Sequence, residues 1–315
     1  MKNKIVKMFL LIEVNKINEV IEIDFNKQEL IKSPLNYTGG KYKLLPQILE
    51  RFPNKISVLY DVFGGGGSIS LNTKAEHIYY NDIVNYVSNM FSDLQDENID
   101  TALNKIHKII DTYELSIINL DGFNKLREDY NEGNKSWEMF YMLVSHSFNY
   151  QFRFNNNHNY NSSFGKDRSC YSSTTETKFM IFLERLHNLD IVFDSKDFRD
   201  IDFSDANKND LIYLDPPYLI TTGNYNDGKR GFKGWNEQDE IDLLELCDKL
   251  DRQGTRFALS NVFECKGKSN DILKKWSNKY NLAYINSEYG NCNYQAKDKS
   301  KNSTIEVLIT NYINT

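Results

Sequence analysis

The tetrapeptide Asp215-Pro216-Pro217-Tyr218 sets a carboxylate, a carbonyl of fixed direction and an aromatic ring within one short stretch. A base's exocyclic amine is a weak nucleophile because its lone pair is delocalised into the ring. Two hydrogen-bond acceptors would bias that nitrogen towards tetrahedral geometry and stabilise the positive charge that grows as it attacks a methyl carbon. Asp215 and the Pro216 carbonyl are the candidate acceptors, Pro217 stiffens the turn, and Tyr218 is the candidate stacking surface for a base taken out of its duplex. On its own, the tetrapeptide is also compatible with a rigid strand-to-loop turn carrying an incidental acid.

A second group is Asp61-Val62-Phe63-Gly64-Gly65-Gly66-Gly67-Ser68, where four glycines let the backbone approach a ligand with no Cβ in the way. Roughly eighteen residues after Gly64, the apolar run Ile78-Tyr79-Tyr80 ends in Asn81-Asp82, and an acid at that point suits ribose hydroxyls. The loop departs from GxGxxG because Ile69 takes the third glycine position, and a dinucleotide site or a ligand-free turn stays open. A third group, Asn36-Tyr37-Thr38-Gly39-Gly40-Lys41-Tyr42, could close over a ligand's carboxylate or simply lead into a helix.

The elements that must hold these groups follow from periodicity. Residues 56–63, 77–80, 191–198, 211–214, 255–260 and 304–312 are short apolar, β-branched or aromatic runs bounded by turn residues, which predicts strands. Helical spacing appears at 42–52, 240–250 and 270–280, so strands and helices alternate around a mostly parallel sheet. Two prolines after Leu211-Ile212-Tyr213-Leu214 must stop that strand at the sheet edge where α/β folds place ligands. Residues 87–189 break the rhythm: Trp137 to Phe148 is helical, and another helix near 178–189 is announced by Ser173 and Glu176 in capping-box spacing. Between them lies an asparagine-rich, aromatic-interleaved loop from Asn149 to Gly165.

Composition excludes several classes. Cys170, Cys247, Cys265 and Cys292 lie far apart without a CxxC pair, and the five histidines show no HExxH spacing, so no metal is expected. The run Met8-Phe9-Leu10-Leu11-Ile12 is interrupted by Glu13 and precedes no cleavage site, and no run nears the roughly 18 apolar residues of a membrane span. The expectation is a cytoplasmic protein. A net charge of -6 does not exclude a polyanionic partner, since local charge neutralises phosphates. The candidate basic stretches are Arg153 to Arg168 and Lys229-Arg230-Gly231-Phe232-Lys233, which could also be solvated faces.

Taken in order, these motifs and the closing run Glu306-Val307-Leu308-Ile309-Thr310-Asn311-Tyr312 resemble the Dam-type adenine-N6 DNA methyltransferases over residues 34–312. The resemblance implies an α/β, Rossmann-like S-adenosylmethionine-dependent methyltransferase sheet carrying an inserted helical target-recognition domain. It implies that Tyr37, Lys41, Asp82 and Asp215 line the cofactor site, with Asp61, Phe63, Gly64 and Gly66 of the glycine loop, and that Asp215 also meets the target base. Phe148, Asn149 and Arg153 fall where the family contacts DNA, and Lys229 and Arg230 are added on charge. The implied partner is double-stranded DNA, in a prokaryotic or phage setting, with a restriction endonuclease acting on the same site without direct contact. Expected boundaries are 1–33 for an N-terminal extension, 34–86 and 190–315 for the two parts of the methyltransferase domain, and 87–189 for the insertion. Val62 stands where the family commonly has proline, and Ser162-Ser163 stand where members that read GATC often carry Val-Pro, so no target sequence is implied. Competing readings are an RNA or protein-amide methyltransferase and a catalytically silent DNA-binding module.

Overall fold

The computed structural model describes residues 30–133, 135–221, 234–285 and 304–313. The chain divides into Met1–Leu30 and Ile31–Thr315, and everything described below belongs to the second unit.

Among the described residues one sheet holds β1 (Val58–Asp61), β2 (His77–Asn81), β3 (Ile191–Asp194), β4 (Leu211–Leu214), β5 (Arg256–Cys265), β6 (Lys268–Ser269), β7 (Asn281–Ile285) and β8 (Thr304–Thr310). Its order is β3-β2-β1-β4-β5-β8-β7, with the short β6 paired to β5. Strands β1 to β5 run parallel, and β8 lies antiparallel between β5 and β7. The chain builds outward from β1 through β2 to β3, then returns to lay β4 on the other side of β1. That reversal opens a crevice at the carboxyl ends of β1 and β4, where open α/β sheets bind ligands. All four residues of β4 are buried, as a central parallel strand covered on both faces requires.

The six expected strands all form, and β6 and β7 are additional. Strand β7 escaped notice because Leu282 and Tyr284 are exposed at the sheet edge, so the alternation that marks a half-buried strand is missing. Helices α1 (Leu45–Leu49), α2 (Ser68–Asn72), α8 (Glu237–Gln253) and α9 (Asp271–Ser277) flank the sheet strands in sequence. One core packs Val62, Ile212, Leu214, Leu243, Phe257, Leu259 and Val307 between sheet and helices.

Between β2 and β3 come α3 (Asn85–Gln95), α4 (Ile99–Tyr113), α5 (Leu120–Asn131), α6 (Trp137–His146) and α7 (Ser173–His187). Helix α6 is buried at every position except Glu138, which makes it the centre of this helical layer. Helix α7 starts earlier than expected. Ser172, not Ser173, caps it by accepting from the Thr175 N–H at 3.3 Å, and Glu176 pairs with His107 at 2.6 Å instead of closing a capping box. The asparagine-rich loop is ordered by local bonds: Asn155 Oδ1 accepts from the N–H groups of Asn157 and Asn159, at 2.9 and 3.0 Å. Asn131 exchanges two side-chain bonds with the Tyr160 backbone, at 2.7 and 3.0 Å.

Asn81 ties the carboxyl edge together. Its buried amide donates to the Val62 carbonyl (2.9 Å) and the Lys196 carbonyl (3.0 Å), and its oxygen accepts from the Lys196 N–H (2.7 Å), joining the exits of β1, β2 and β3. Asn81→Ala leaves the buried Val62 carbonyl unpaired and the part-buried Lys196 groups to solvent, and is expected to cost about 1 to 3 kcal/mol, the scale of one buried orphan. A denaturant midpoint unchanged from the parent would refute the clamp.

Candidate active site

Loops leaving β1, β2 and β4 meet the Tyr37–Lys41 turn and the start of the asparagine-rich loop around a cavity of about 440 Å³. Tyr37, Lys41, Asp61, Phe63, Gly64, Gly66, Asp82, Asp215, Pro216, Pro217 and Tyr218 all line it. Residues from Tyr37 to Thr221 converge here because β1 and β4 are neighbours whose ends fall together.

The glycine loop has steric reasons for its composition. A Cβ on Gly64 would lie 2.2 Å from a ring carbon of Tyr80, so no larger residue fits there. Gly65 and Gly67 adopt φ of 51° and 74°, in the left-handed region that favours glycine. Tyr80 closes the loop from below by donating its hydroxyl to the Gly65 carbonyl at 2.6 Å. Asp82, only 6% exposed, accepts from the Gly65 and Val84 N–H groups, both at 2.8 Å, with the Tyr37 hydroxyl more distant at 3.4 Å. Burial pushes its carboxyl up to about 6 although these donors favour the charged form. Asp61 sits deeper. It accepts from Ser70 Oγ at 2.7 Å and the Ser70 N–H at 3.2 Å, and burial pushes it up to about 7 against those bonds.

On the β4 side, Asp215 lies 2.7 Å from the Lys41 ammonium, and both are largely removed from solvent. Lys41 also donates to the Gly39 carbonyl at 3.1 Å, which fixes its stem within the turn. Tyr218 Oη lies 3.0 Å from Asp215 Oδ1, and the Lys41 ammonium stands 5.1 Å from the Tyr218 ring centre. Burial raises Asp215 above the usual carboxylate range, while the Lys41 charge and the Lys41 and Tyr218 hydrogen bonds pull it back. Tyr218 is held far above the phenol range, by burial first and then by the neighbouring acids. The chemistry this permits is acceptance of hydrogen bonds by a carboxylate whose orientation is set on both oxygens.

The expected nucleic-acid residues separate. Arg153 is exposed and lines the cavity. Phe148 does not line it; α6 ends at His146 and not at Phe148, whose ring is 44% exposed. The Arg168 guanidinium stands 4.9 Å from its ring centre. Asn149 takes a left-handed φ of 56°, and its carbonyl accepts from the Asn36 side chain at 2.9 Å. Lys229 and Arg230 lie outside the described residues. Among the described residues no group of three His, Cys, Asp or Glu side chains could hold a metal ion, and no helix is long and apolar enough to cross a membrane.

Sequence reasoning missed Glu306, whose Oε1 lies 3.1 Å from Tyr218 Oη and 3.7 Å from the Lys41 ammonium. A lone acid inside the otherwise apolar run from Ile305 to Ile309 was its available signal. It also missed Phe152 and Phe154, which line the cavity, Phe152 meeting Tyr37 edge to face with ring centres 5.6 Å apart. The alternation of aromatics with polar residues at 150–154 pointed to them.

A family model for D12 class N6 adenine-specific DNA methyltransferases matches residues 37–291. The chain is 43% identical over 300 residues to the type II methyltransferase M.FokI of Planomicrobium okeanokoites, covering 95% of this chain and 46% of that protein. It is 45% identical over 287 residues to the modification methylase StsI of Streptococcus sanguinis, covering 90% of this chain and 43% of that one. The modification methylase LlaI of Lactococcus lactis subsp. lactis is 32% identical over 302 residues, 95% of this chain and 46% of its own length. The chain thus spans a little under half the length of these relatives. The matched region runs from the Tyr37 turn past the Asp215 loop and takes in every wall of the cavity, and on that match this chain belongs to the D12 class N6 adenine-specific DNA methyltransferases.

Proposed function

We propose that this chain transfers the methyl group of S-adenosylmethionine to N6 of an adenine flipped out of double-stranded DNA, within a restriction-modification system. The observation that carries this reading is the convergence of the Asp215–Tyr218 turn with the glycine loop and Asp82 on one cavity.

The residues present fit the cofactor. The glycine loop offers bare backbone, Asp82 offers a buried acceptor for ribose hydroxyls, and Tyr37, Phe63 and Phe152 offer apolar walls. When bound, S-adenosylmethionine supplies a methyl group made electrophilic by its sulfonium. Asp215 and the Pro216 carbonyl accept the two N6 hydrogens, which localises the nitrogen lone pair and stabilises its growing positive charge. Lys41 holds Asp215 ionised and correctly turned for that task. Tyr218 stacks against the adenine, a contact that any base face supports. Phe148 fills the gap that the flipped base leaves, as apolar wedges do in distorted duplexes. Asn149, Arg153 and the helical segment 87–189 read the flanking sequence, with Lys229 and Arg230 on the phosphates. The setting is the prokaryotic cytoplasm, and a cognate endonuclease shares the DNA site without touching this chain.

Three measurements test the reading. Asp215→Ala is expected to lower kcat at least about a hundredfold on mixed-sequence DNA with labelled cofactor, the scale of losing one preorganised group. Near-parental turnover in a folded variant, or label appearing in RNA or protein but not in DNA, defeats it.

The second concerns pH. Burial pushes the Asp82 carboxyl up to about 6, and hydroxyl donors bind its carboxylate form. Below that pH the ligand must displace a proton, so affinity falls by up to about tenfold per pH unit, whereas above it the affinity is level. Asp82→Asn is expected to bind weakly at all pH values and to lose this component of the fall. Calorimetry showing the same acid-side slope in both proteins reassigns it to another group.

The third concerns Arg153. Its replacement by alanine is expected to depress methylation of the preferred site by about 1 to 3 kcal/mol more than binding to unrelated DNA at the same salt, the worth of a bidentate guanine contact. Equal losses on both DNAs place it on the phosphate backbone.

A further inference from the structure

Glu306 has no part in the chemistry above, yet it lies against the groups that do. It projects from β8, opposite Val262 of β5 and Ile285 of β7, and its side chain is 3% exposed. The Tyr218 hydroxyl stands between two carboxyl groups, 3.0 Å from Asp215 and 3.1 Å from Glu306. A phenol carries a single hydrogen, so it donates fully to only one of them. The other carboxyl then faces a phenolic lone pair, which is attractive only if that carboxyl carries a proton and donates it.

Charge decides which acid that is. Asp215 lies 2.7 Å from the Lys41 ammonium and its side chain is 16% exposed, so it keeps its charge at least cost. Glu306 is more deeply buried and 3.7 Å from the same ammonium, beyond hydrogen-bond distance. We propose that Glu306 is held as a neutral carboxylic acid and acts as a positioning residue, donating to Tyr218 Oη, which donates to Asp215, which accepts from Lys41. Its geometry stands independently of the methyl-transfer reading, and its catalytic meaning rests on that reading.

The direction of ionisation agrees. Burial raises the Glu306 carboxyl above the glutamate range and the Asp215 charge adds to this, while the Lys41 charge and the adjacent Tyr218 hydroxyl oppose it. Among the described residues the other titratable neighbours are Tyr213, whose hydroxyl is paired with Ser260 at 2.8 Å, and Asp61, which bears on Asp215. In this arrangement the Lys41 and Asp215 charges cancel and Glu306 adds none. The Tyr218 hydroxyl is locked in one direction, and Asp215 keeps lone pairs for an incoming amine.

The full chain carrying 13C at glutamate Cδ tests this by NMR at neutral pH. A carboxylic-acid resonance is expected, and it should be absent from Glu306→Gln. Glu240 is an internal comparison, since it accepts from the side chains of Asn261, Asn270 and Trp235. Only carboxylate signals in the wild type overturn the proposal without recourse to a variant, as does an acid signal that survives intact in Glu306→Gln. In methyl-transfer assays Glu306→Gln, whose amide can still donate to Tyr218, is expected to keep kcat within about threefold. Glu306→Ala should lose about tenfold or more, and the alkaline fall in kcat that follows Glu306 ionisation should vanish in the Gln variant. A folded but inactive Glu306→Gln overturns the proposal. A wild type that methylates no DNA defeats the functional reading alone, and the NMR result still decides Glu306.

Discussion

The Lys41–Asp215 ion pair is the interaction on which the rest of the site depends. Two opposite charges withdrawn from water are costly unless they meet closely and have further hydrogen bonds, and here they meet at 2.7 Å with the Gly39 carbonyl and the Tyr218 hydroxyl as additional partners. The pair joins the turn before α1 to the exit of β4, so a segment that precedes the sheet is anchored over its central strands. Removing either charge leaves the other buried without its nearest counter-charge. The two prolines after Asp215 help the arrangement, because a strand that continued would carry Tyr218 away from the carboxylate it bonds.

Around this pair the acids differ in what surrounds them, and their chemistry differs accordingly. Asp61 at the end of β1 accepts from Ser70 of α2 and is pushed up to about 7; Asp82 accepts two backbone donors and reaches about 6. Asp215 has a full positive charge beside it and Glu306 a more distant one. One residue chemistry thus spans several proton affinities inside a single cavity, which is the usual means by which a site divides roles among like groups.

Much of this was legible before any coordinates. The prolines after 211–214, the glycine loop after 56–63 and the acid after 77–80 each marked a strand's carboxyl end, so the parts of the cavity wall that leave β1, β2 and β4 were legible from punctuation. Glu306 was not, because its partners come from residues 41 and 218 and only the antiparallel placement of β8 beside β5 brings it there. Strand β7 was hidden by exposure at the edge, and the start of α7 by two adjacent serines, either of which could cap a helix. The α6 boundary mattered most: periodicity alone ran the helix through Phe148, whereas the chain turns at Ser147 and leaves that ring on the surface.

The asparagine-rich loop has two faces. Its first residues, Phe148 and Asn149, stand away from the cavity, while Gln151, Phe152, Arg153 and Phe154 form part of the cavity wall. Between them Asn149 and Tyr150 both hold left-handed backbone, at φ of 56° and 57°, a conformation that non-glycine residues adopt at some energetic cost. A small molecule settling against Phe152 and a polymer pressing on Phe148 therefore act on the same few peptide units. Any coupling carried through that segment would be reciprocal: whatever factor one ligand added to the affinity of the other, it would receive in return.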